Sequence, residues 1–276
     1  MTADYIGGDK IGGDKIGGDK IQVAGNMLQI GDVHGGVVYV AAPGSNSTPR
    51  LRPTPLLIRP RPFRRFVGRQ TEIEQITEDV EDAVPVQIHA RSGSGKTVLL
   101  RHLAHNLSHD DFPHDLVYLS AREQNLADLS QSLFNAFYES DIPTKPTDAD
   151  LRRAFQNIEA LILLDDVRLE REALDNLLNI APLCIFIFSS PDRQLWGEGN
   201  AIALGGLAAE NAILLLERQL KRPLTPAEQT AITTLDGHPL SLIQLASTGD
   251  LLGAIKGEKT AVSPESLPEE ERKSAW

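Results

Sequence analysis

The sequence predicts an α/β fold: a mostly parallel sheet with helices on both faces, followed by a small helical subdomain and preceded by a β-prone repeat segment. Three observations carry this. Apolar runs at about 84–89, 116–120, 160–165 and 183–188 alternate with helical periodicity at about 70–82, 96–109, 126–139 and 147–157. Between the first run and the helix after it lies "ARSGSGKT", residues 90–97. The third run, in "FQNIEALILLDDV", ends in Asp165 and Asp166.

In chain order, the first element is "IGGDKIGGDKIGGDKI", residues 6–21, a strict five-residue repeat. Each unit holds one apolar anchor (Ile6, Ile11, Ile16, Ile21), two glycines and an acid–base pair. An odd period puts successive anchors on opposite faces of a plain strand, and a turn at each Gly-Gly restores a single face. The stretch after it, residues 21–41, is β-prone, free of proline and poor in charge, a composition suited to strand addition. Residues 1–42 therefore read either as a disordered duplicated tail or as a strand-forming segment with a homotypic partner through residues 6–41. A Pro/Arg-rich linker is expected at 43–62, and the stretch 49–69 carries seven arginines and no acid.

Residues 63–205 carry the expected nucleotide chemistry. The stretch 90–97 fits the phosphate-loop pattern of P-loop NTPases except that Ala90 stands at the first glycine position. Gly93 and Gly95 let backbone N–H groups turn toward phosphate oxygens. The helix that begins near Lys96 adds its positive dipole end. Lys96 supplies a flexible cation, and the Thr97 hydroxyl is a Mg²⁺ ligand. Ser92, Ser94 and Val98 complete the nucleotide-binding stretch. A carboxylate at the end of a neighbouring strand is needed for the Mg²⁺ shell, and Asp165 is placed for it. Asp166 is the candidate catalytic residue, polarising the attacking water. Arg122, in "DLVYLSARE", reads as a solvated strand-end arginine with a γ-phosphate sensor as the alternative. Helices at 209–220 and 226–235 build the small subdomain, 206–255; "TPAE", residues 225–228, reads as a capping box, and Gly237 suits a helix end.

"FVGRQTEIEQI", "ARSGSGKT", "ALILLDDV" and "GHPLSLIQLA" occur in an order that resembles the STAND ATPases, and within them the NB-ARC or AP-ATPase group. The resemblance covers about 63–247. It implies an ATP- or ADP-binding molecular switch with Mg²⁺, slow hydrolysis, and oligomerisation and signalling coupled to nucleotide state. It places Val67, Gly68 and Arg69 beside adenine and ribose, and Pro239 in the subdomain that closes over the base. Two departures stand out. The strand after the Asp pair ends "SSPDR", with Ser189, Ser190 and Pro191 where the family has a Thr-Thr/Ser-Arg sensor, and an arginine only at 193. The chain stops at Trp276, where the winged-helix subdomain would begin, so 256–276 reads as a linker or the start of a further domain, and the sequence as either a fragment of a longer protein or a shortened one.

Other residues narrow the function class. A net charge of −11 speaks against a nucleic-acid-coating surface, and a nucleic-acid-dependent ATPase ranks behind a nucleotide-stabilised scaffold as an alternative. The single Cys184 lies in "LCIFIF" and reads as an inert core thiol. No apolar run approaches the roughly 20 residues that span a bilayer, and no secretory signal is present, so a cytoplasmic protein is expected. His102, His105 and His109 share a helix face without a completing ligand set and read as surface histidines. Trp196 reads as a packing residue.

Overall fold

The computed structural model describes residues 49–53, 59–108, 111–140, 145–197 and 199–255, together with the backbone of four short strands before them. Those strands are β1 (Asp4–Ile6), β2 (Asp9–Ile11), β3 (Asp19–Val23) and β4 (Asn26–Ile30). They form two antiparallel hairpins, β1 with β2 (Ile6 opposite Asp9) and β3 with β4 (Val23 opposite Asn26). Gly7-Gly8 separates β1 from β2 in sequence, which is the chemistry of a two-residue hairpin connection. The repeat's expected turns at Gly-Gly, residues 12–18, and the expected linker or further domain at 256–276 lie outside the described residues.

The short strand β5 (Arg50–Leu51) pairs with a later segment, and then the sheet and its helices follow: α1 (Gln70–Glu81), β6 (Val86–His89), α2 (Lys96–Asn106), β7 (Leu116–Ser120), α3 (Leu126–Phe137), β8 (Tyr138–Glu139), α4 (Asp148–Phe155), β9 (Leu161–Asp165), α5 (Arg171–Ile180), β10 (Ile185–Ser190) and β11 (Asn200–Ala203). β8 is the antiparallel partner of β5. Three helices close the described chain: α6 (Ala209–Leu220), α7 (Pro226–Ile232) and α8 (Pro239–Ser247).

Five strands form one parallel sheet in the order β11-β6-β10-β9-β7. β9 is buried along its whole length, as expected for a parallel strand covered on both faces. Alternation divides its side chains. Leu161 and Leu163 join the core under α1 and α2, whereas Ile162 and Leu164 join the core under α3, α4 and α5. A third core, with Ala212, Leu216, Leu242 and Leu245, belongs to α6–α8.

The strand expected at 183–188 is shifted to 185–190, so that both serines end inside the sheet with no exposed surface. α5, β11 and α8 go beyond the elements read from sequence. The helix expected at 226–235 ends at Ile232, ahead of Gly237. Gly237 instead serves a close approach: its φ is +70°, and a Cβ would lie 2.2 Å from the Leu207 carbonyl oxygen. The Pro/Arg-rich stretch is docked where it is described. Arg101, on α2, donates twice to the Arg61 carbonyl (3.0 and 2.7 Å), His105 Nε2 meets the Pro60 carbonyl at 2.7 Å, and Phe66 stacks on His102 at 4.0 Å.

Candidate functional site: a phosphate-loop cleft

Face alternation sets the geometry of the cleft. Asp165 follows Leu161 and Leu163 on the α2 side of the sheet, and Ser189 follows Ile185 and Ile187 on the same side. Thr97, in the first turn of α2, donates its hydroxyl to Asp165 Oδ1 at 3.0 Å. Ser189 donates to the same oxygen at 2.8 Å, and the Tyr118 hydroxyl donates to Oδ2 at 3.0 Å. Asp165 is only 8% exposed, and three hydroxyls hold its two oxygens. Burial raises the Tyr118 phenol, and the Asp165 carboxylate reinforces the shift through its charge and the hydrogen bond.

The Asp pair was expected on a strand neighbouring that of the phosphate loop. Instead β10 intervenes between β6 and β9. The gap is spanned because β10 presents the short hydroxyl of Ser189, so Thr97 still reaches Asp165. Ser190 points to the opposite face, as the next residue of a strand must. There Gln87 Nε2 donates to Ser190 Oγ (2.6 Å) and to the Asp192 carbonyl (2.8 Å), while its Oε1 accepts from the backbone N–H groups of Gln194 (2.9 Å) and Leu195 (2.8 Å). The fully buried Gln87 thereby fixes the loop that follows the two serines.

The phosphate loop turns through Gly93 (φ +82°) and Gly95 (φ +96°), the latter being the N-cap of α2. Space around a Cβ on Gly95 is open, so the backbone angle is what demands glycine there. Lys96 Nζ donates to the carbonyls of Ala90 and Arg91 within its own loop. Burial pulls the Lys96 ammonium below its ordinary range, against the carboxylates of Asp166 and Asp165, which act to raise it.

Asp166 adopts the left-handed region (φ +61°) just past β9, and its N–H donates to Ser189 Oγ at 2.9 Å. Its carboxylate is held from two sides, by Arg122 Nε at 3.0 Å and Arg168 Nε at 3.3 Å. Arg122 is exposed, as expected at a strand end, but it lines the cleft. Ser92, Gly93, Gly95, Lys96, Thr97, Val98, Asp165, Asp166 and Pro239 line the same cleft of about 330 Å³.

The remaining expected site residues lie elsewhere. Val67, Gly68, Arg69 and Ser94 do not line this cleft, and Val67, Arg69 and Ser94 are buried. The Arg69 guanidinium donates to the carbonyls of Ser94 (3.2 Å), Gly205 (2.7 Å) and Gly206 (3.4 Å), tying the phosphate loop to the segment entering α6. A Cβ on Gly68 would lie 2.8 Å from the Asn211 amide. Arg193 Nε donates to the Leu195 carbonyl, and its guanidinium lies 4.1 Å from the Trp196 ring centroid. Trp196 is 53% exposed, so it is a surface platform for Arg193 rather than a packed residue.

A clamp that sequence reading missed joins the helical unit to the loop. His238, N-cap of α8, meets the Ser92 carbonyl through Nε2 at 3.0 Å, and its Nδ1 accepts from Ser241 N–H. The Leu240 N–H donates to the Gly93 carbonyl at 3.3 Å, and Arg91 pairs with Asp236. A Cβ on Gly93 would lie 2.7 Å from Leu240 Cβ. "GHPL" gave the signal for Pro239, but nothing in its spacing revealed that its histidine grips the loop.

Cys184 is buried, its thiol pushed up to about 12 by burial, in keeping with an inert core residue. Among the described residues no group of His, Cys, Asp or Glu forms a metal cluster, and no helix is long and apolar enough to cross a membrane.

The NB-ARC domain family model matches residues 69–195. The parallel sheet flanked by helices is the α/β fold of P-loop NTPases, and residues 69–195 are similar to an NB-ARC domain. Among solved structures, the chain is similar to a STAND (Signal Transduction ATPase with Numerous Domains) protein with a tetratricopeptide repeat sensor from Pyrococcus horikoshii, at 20% identity over 65% of this chain and 29% of that one (TM-score 0.43). It is also similar to NtrX from Brucella abortus in complex with ATP, at 16% identity over 67% of this chain and 52% of that one (TM-score 0.43). A third is the RuvB Holliday junction branch migration motor of Thermotoga maritima, at 15% identity over 72% of this chain and 67% of that one (TM-score 0.41). The chain spans less than a third of the first of these structures. No curated protein matches the chain.

Proposed function

We propose that the chain is an ATP/ADP switch of the STAND type, in which nucleotide exchange or slow hydrolysis changes the packing of α6–α8 against the phosphate loop and so controls self-association. The observation that carries the reading is the clamp. The backbone that would wrap the phosphates is the same backbone that His238 and Leu240 grip through the Ser92 and Gly93 carbonyls. Occupancy of the loop and seating of the helical unit therefore bear on each other.

The donor set suits a hard cation. The Thr97 hydroxyl and Asp165 carboxylate lie 3.0 Å apart, and Ser189 and Tyr118 orient the carboxylate from behind. Mg²⁺ would be held by Thr97 and Asp165, and would supply charge neutralisation for the β- and γ-phosphates. Lys96 would bind phosphate oxygens, and Asp166 would orient water. Pro239 would cover the base side, and Val67–Arg69 would shape the wall beside it.

A non-hydrolysing, nucleotide-stabilised scaffold is the second reading. It is favoured by the pairing of Asp166 with Arg122 and Arg168, which occupies both of its carboxylate oxygens. One experiment addresses both. Protein purified gently and then denatured should release ADP or ATP near one per chain, and the Lys96→Ala variant should release none. Retained nucleotide in that variant would reject the site. ATP turnover by the wild type above the variant's background supports the switch; tight binding without turnover supports the scaffold.

A further inference from the structure

We propose that Arg122 and Arg168 together read the γ-phosphate, with the Asp166 carboxylate holding their guanidinium groups when only a diphosphate is bound. The inference rests on the reading of the cleft as an ATP/ADP site, and names the residues that would make it distinguish the two nucleotides.

The cation that follows the two serines is committed elsewhere, because Arg193 lies over the Trp196 ring and hydrogen-bonds within its own loop. Three cationic side chains line the cleft: Lys96, Arg122 and Arg168. Lys96 belongs to the phosphate loop, which leaves the two arginines for the end beyond it.

Both arginines are placed by backbone ladders rather than by chance. The Ala121 N–H donates to the Asp165 carbonyl at 2.7 Å, extending the β7–β9 pairing and setting Arg122 beside the end of β9. The Val167 N–H donates to the Ser189 carbonyl at 2.7 Å, which sets Arg168 on the β10 side of the same carboxylate. The two guanidinium groups thus converge on Asp166 from opposite sides of the strand end, at 3.0 and 3.3 Å. Both side chains are largely exposed, 68% and 63%, so they are free to exchange partner without disturbing the core.

The chemistry favours exchange. A terminal phosphate offers more negative charge and more acceptor oxygens than a carboxylate, and a guanidinium matches its geometry in a bidentate manner. A diphosphate lacks that group, so the arginines stay on Asp166. The arrival of ATP would then do two things through one set of contacts: report the third phosphate, and release the Asp166 oxygens. This accounts for a cleft whose candidate water-orienting residue is fully paired.

The test is calorimetric titration of ATPγS and of ADP, each with Mg²⁺, into the wild type and the Arg122→Ala/Arg168→Ala double variant, with thermal unfolding as a check on folding. The expected result is a loss of about 10- to 100-fold in ATPγS affinity with ADP affinity within about twofold of wild type. Parallel weakening of both nucleotides, or no change in either, would overturn the inference. A folded wild type that binds neither nucleotide would instead overturn the switch reading on which it rests.

Discussion

At the scale of single residues, the cleft depends on side chains that each satisfy several polar groups at once. Gln87 is the strongest case. Its amide makes two donor and two acceptor contacts and has no exposed surface, and three of the four go to the loop 191–195. Replacing Gln87 by Leu preserves approximate volume but strands the Gln194 and Leu195 N–H groups, while the Asp192 carbonyl keeps its bond from Ser190 Oγ at 2.8 Å. The cost expected from unsatisfied buried polar groups is about 2–4 kcal/mol, read as a lower urea midpoint with an unchanged slope. An unchanged midpoint would mean that the loop is not held through Gln87. Ser189 and Ser190 read from sequence as a departure from a sensor, because a string of letters does not show which face each residue takes. In the sheet they serve opposite faces, one at Asp165 and the other at Gln87.

Elements were legible where the local signal was strong. The loop between β6 and α2, and the Asp165–Asp166 end of β9, are carried by short-range chemistry, so their positions follow from sequence. β11 is four residues long and is stabilised by pairing with β6 across more than a hundred residues, a long-range contact that no local pattern announces. α5 follows "VRLE" without a side-chain cap, and α8 starts at a proline inside a motif read for its chemistry alone. The strand order, which puts β10 between β6 and β9, is likewise a property of the assembled sheet. The best-signalled helix start was α7. Its Thr225 accepts from the Glu228 N–H, and the Glu228 carboxylate accepts from Thr225 N–H at 2.7 Å and from Arg222 at 2.6 and 3.0 Å. The Arg222 hydrogen bonds, reinforced by Thr225, hold the Glu228 carboxyl down to about 2 from an ordinary 4.5. Because the folded value is the lower one, this support is present above pH 4.5 and fades as pH falls toward 2. Thr225→Ala should cost about 1 kcal/mol at neutral pH, and Glu228→Gln should flatten the acid side of the stability profile between those limits. An unaltered acid limb in Glu228→Gln would remove Glu228 as its source.

Across the whole molecule, the N-terminal repeat and the nucleotide cleft differ in what stabilises them. The five-stranded sheet has cores on both faces, and the α6–α8 unit has its own. The β1–β2 and β3–β4 hairpins are two-stranded sheets, each with unpaired edges among the described residues. A hairpin of three to five residues per strand is marginal in water, and its free N–H and C=O groups are a template for another strand. A second copy of the same repeat supplies a strand of matching length and chemistry, so pairing between chains would stabilise what a single chain holds weakly. The clamp of α8 on the phosphate loop would make that pairing answer to nucleotide, since reseating the helical unit changes which surfaces are free. The expected behaviour follows in light scattering at matched concentration. The full chain with ATPγS and Mg²⁺ should shift to a higher mass than with ADP, whereas the chain lacking residues 1–48 should stay at the mass of one copy. The truncated chain should still bind both nucleotides as the full chain does, because none of the cleft residues lies before residue 92. Equal masses for the two chains in ATPγS would reject the repeat as the assembling part and move self-association onto the sheet or the helical unit.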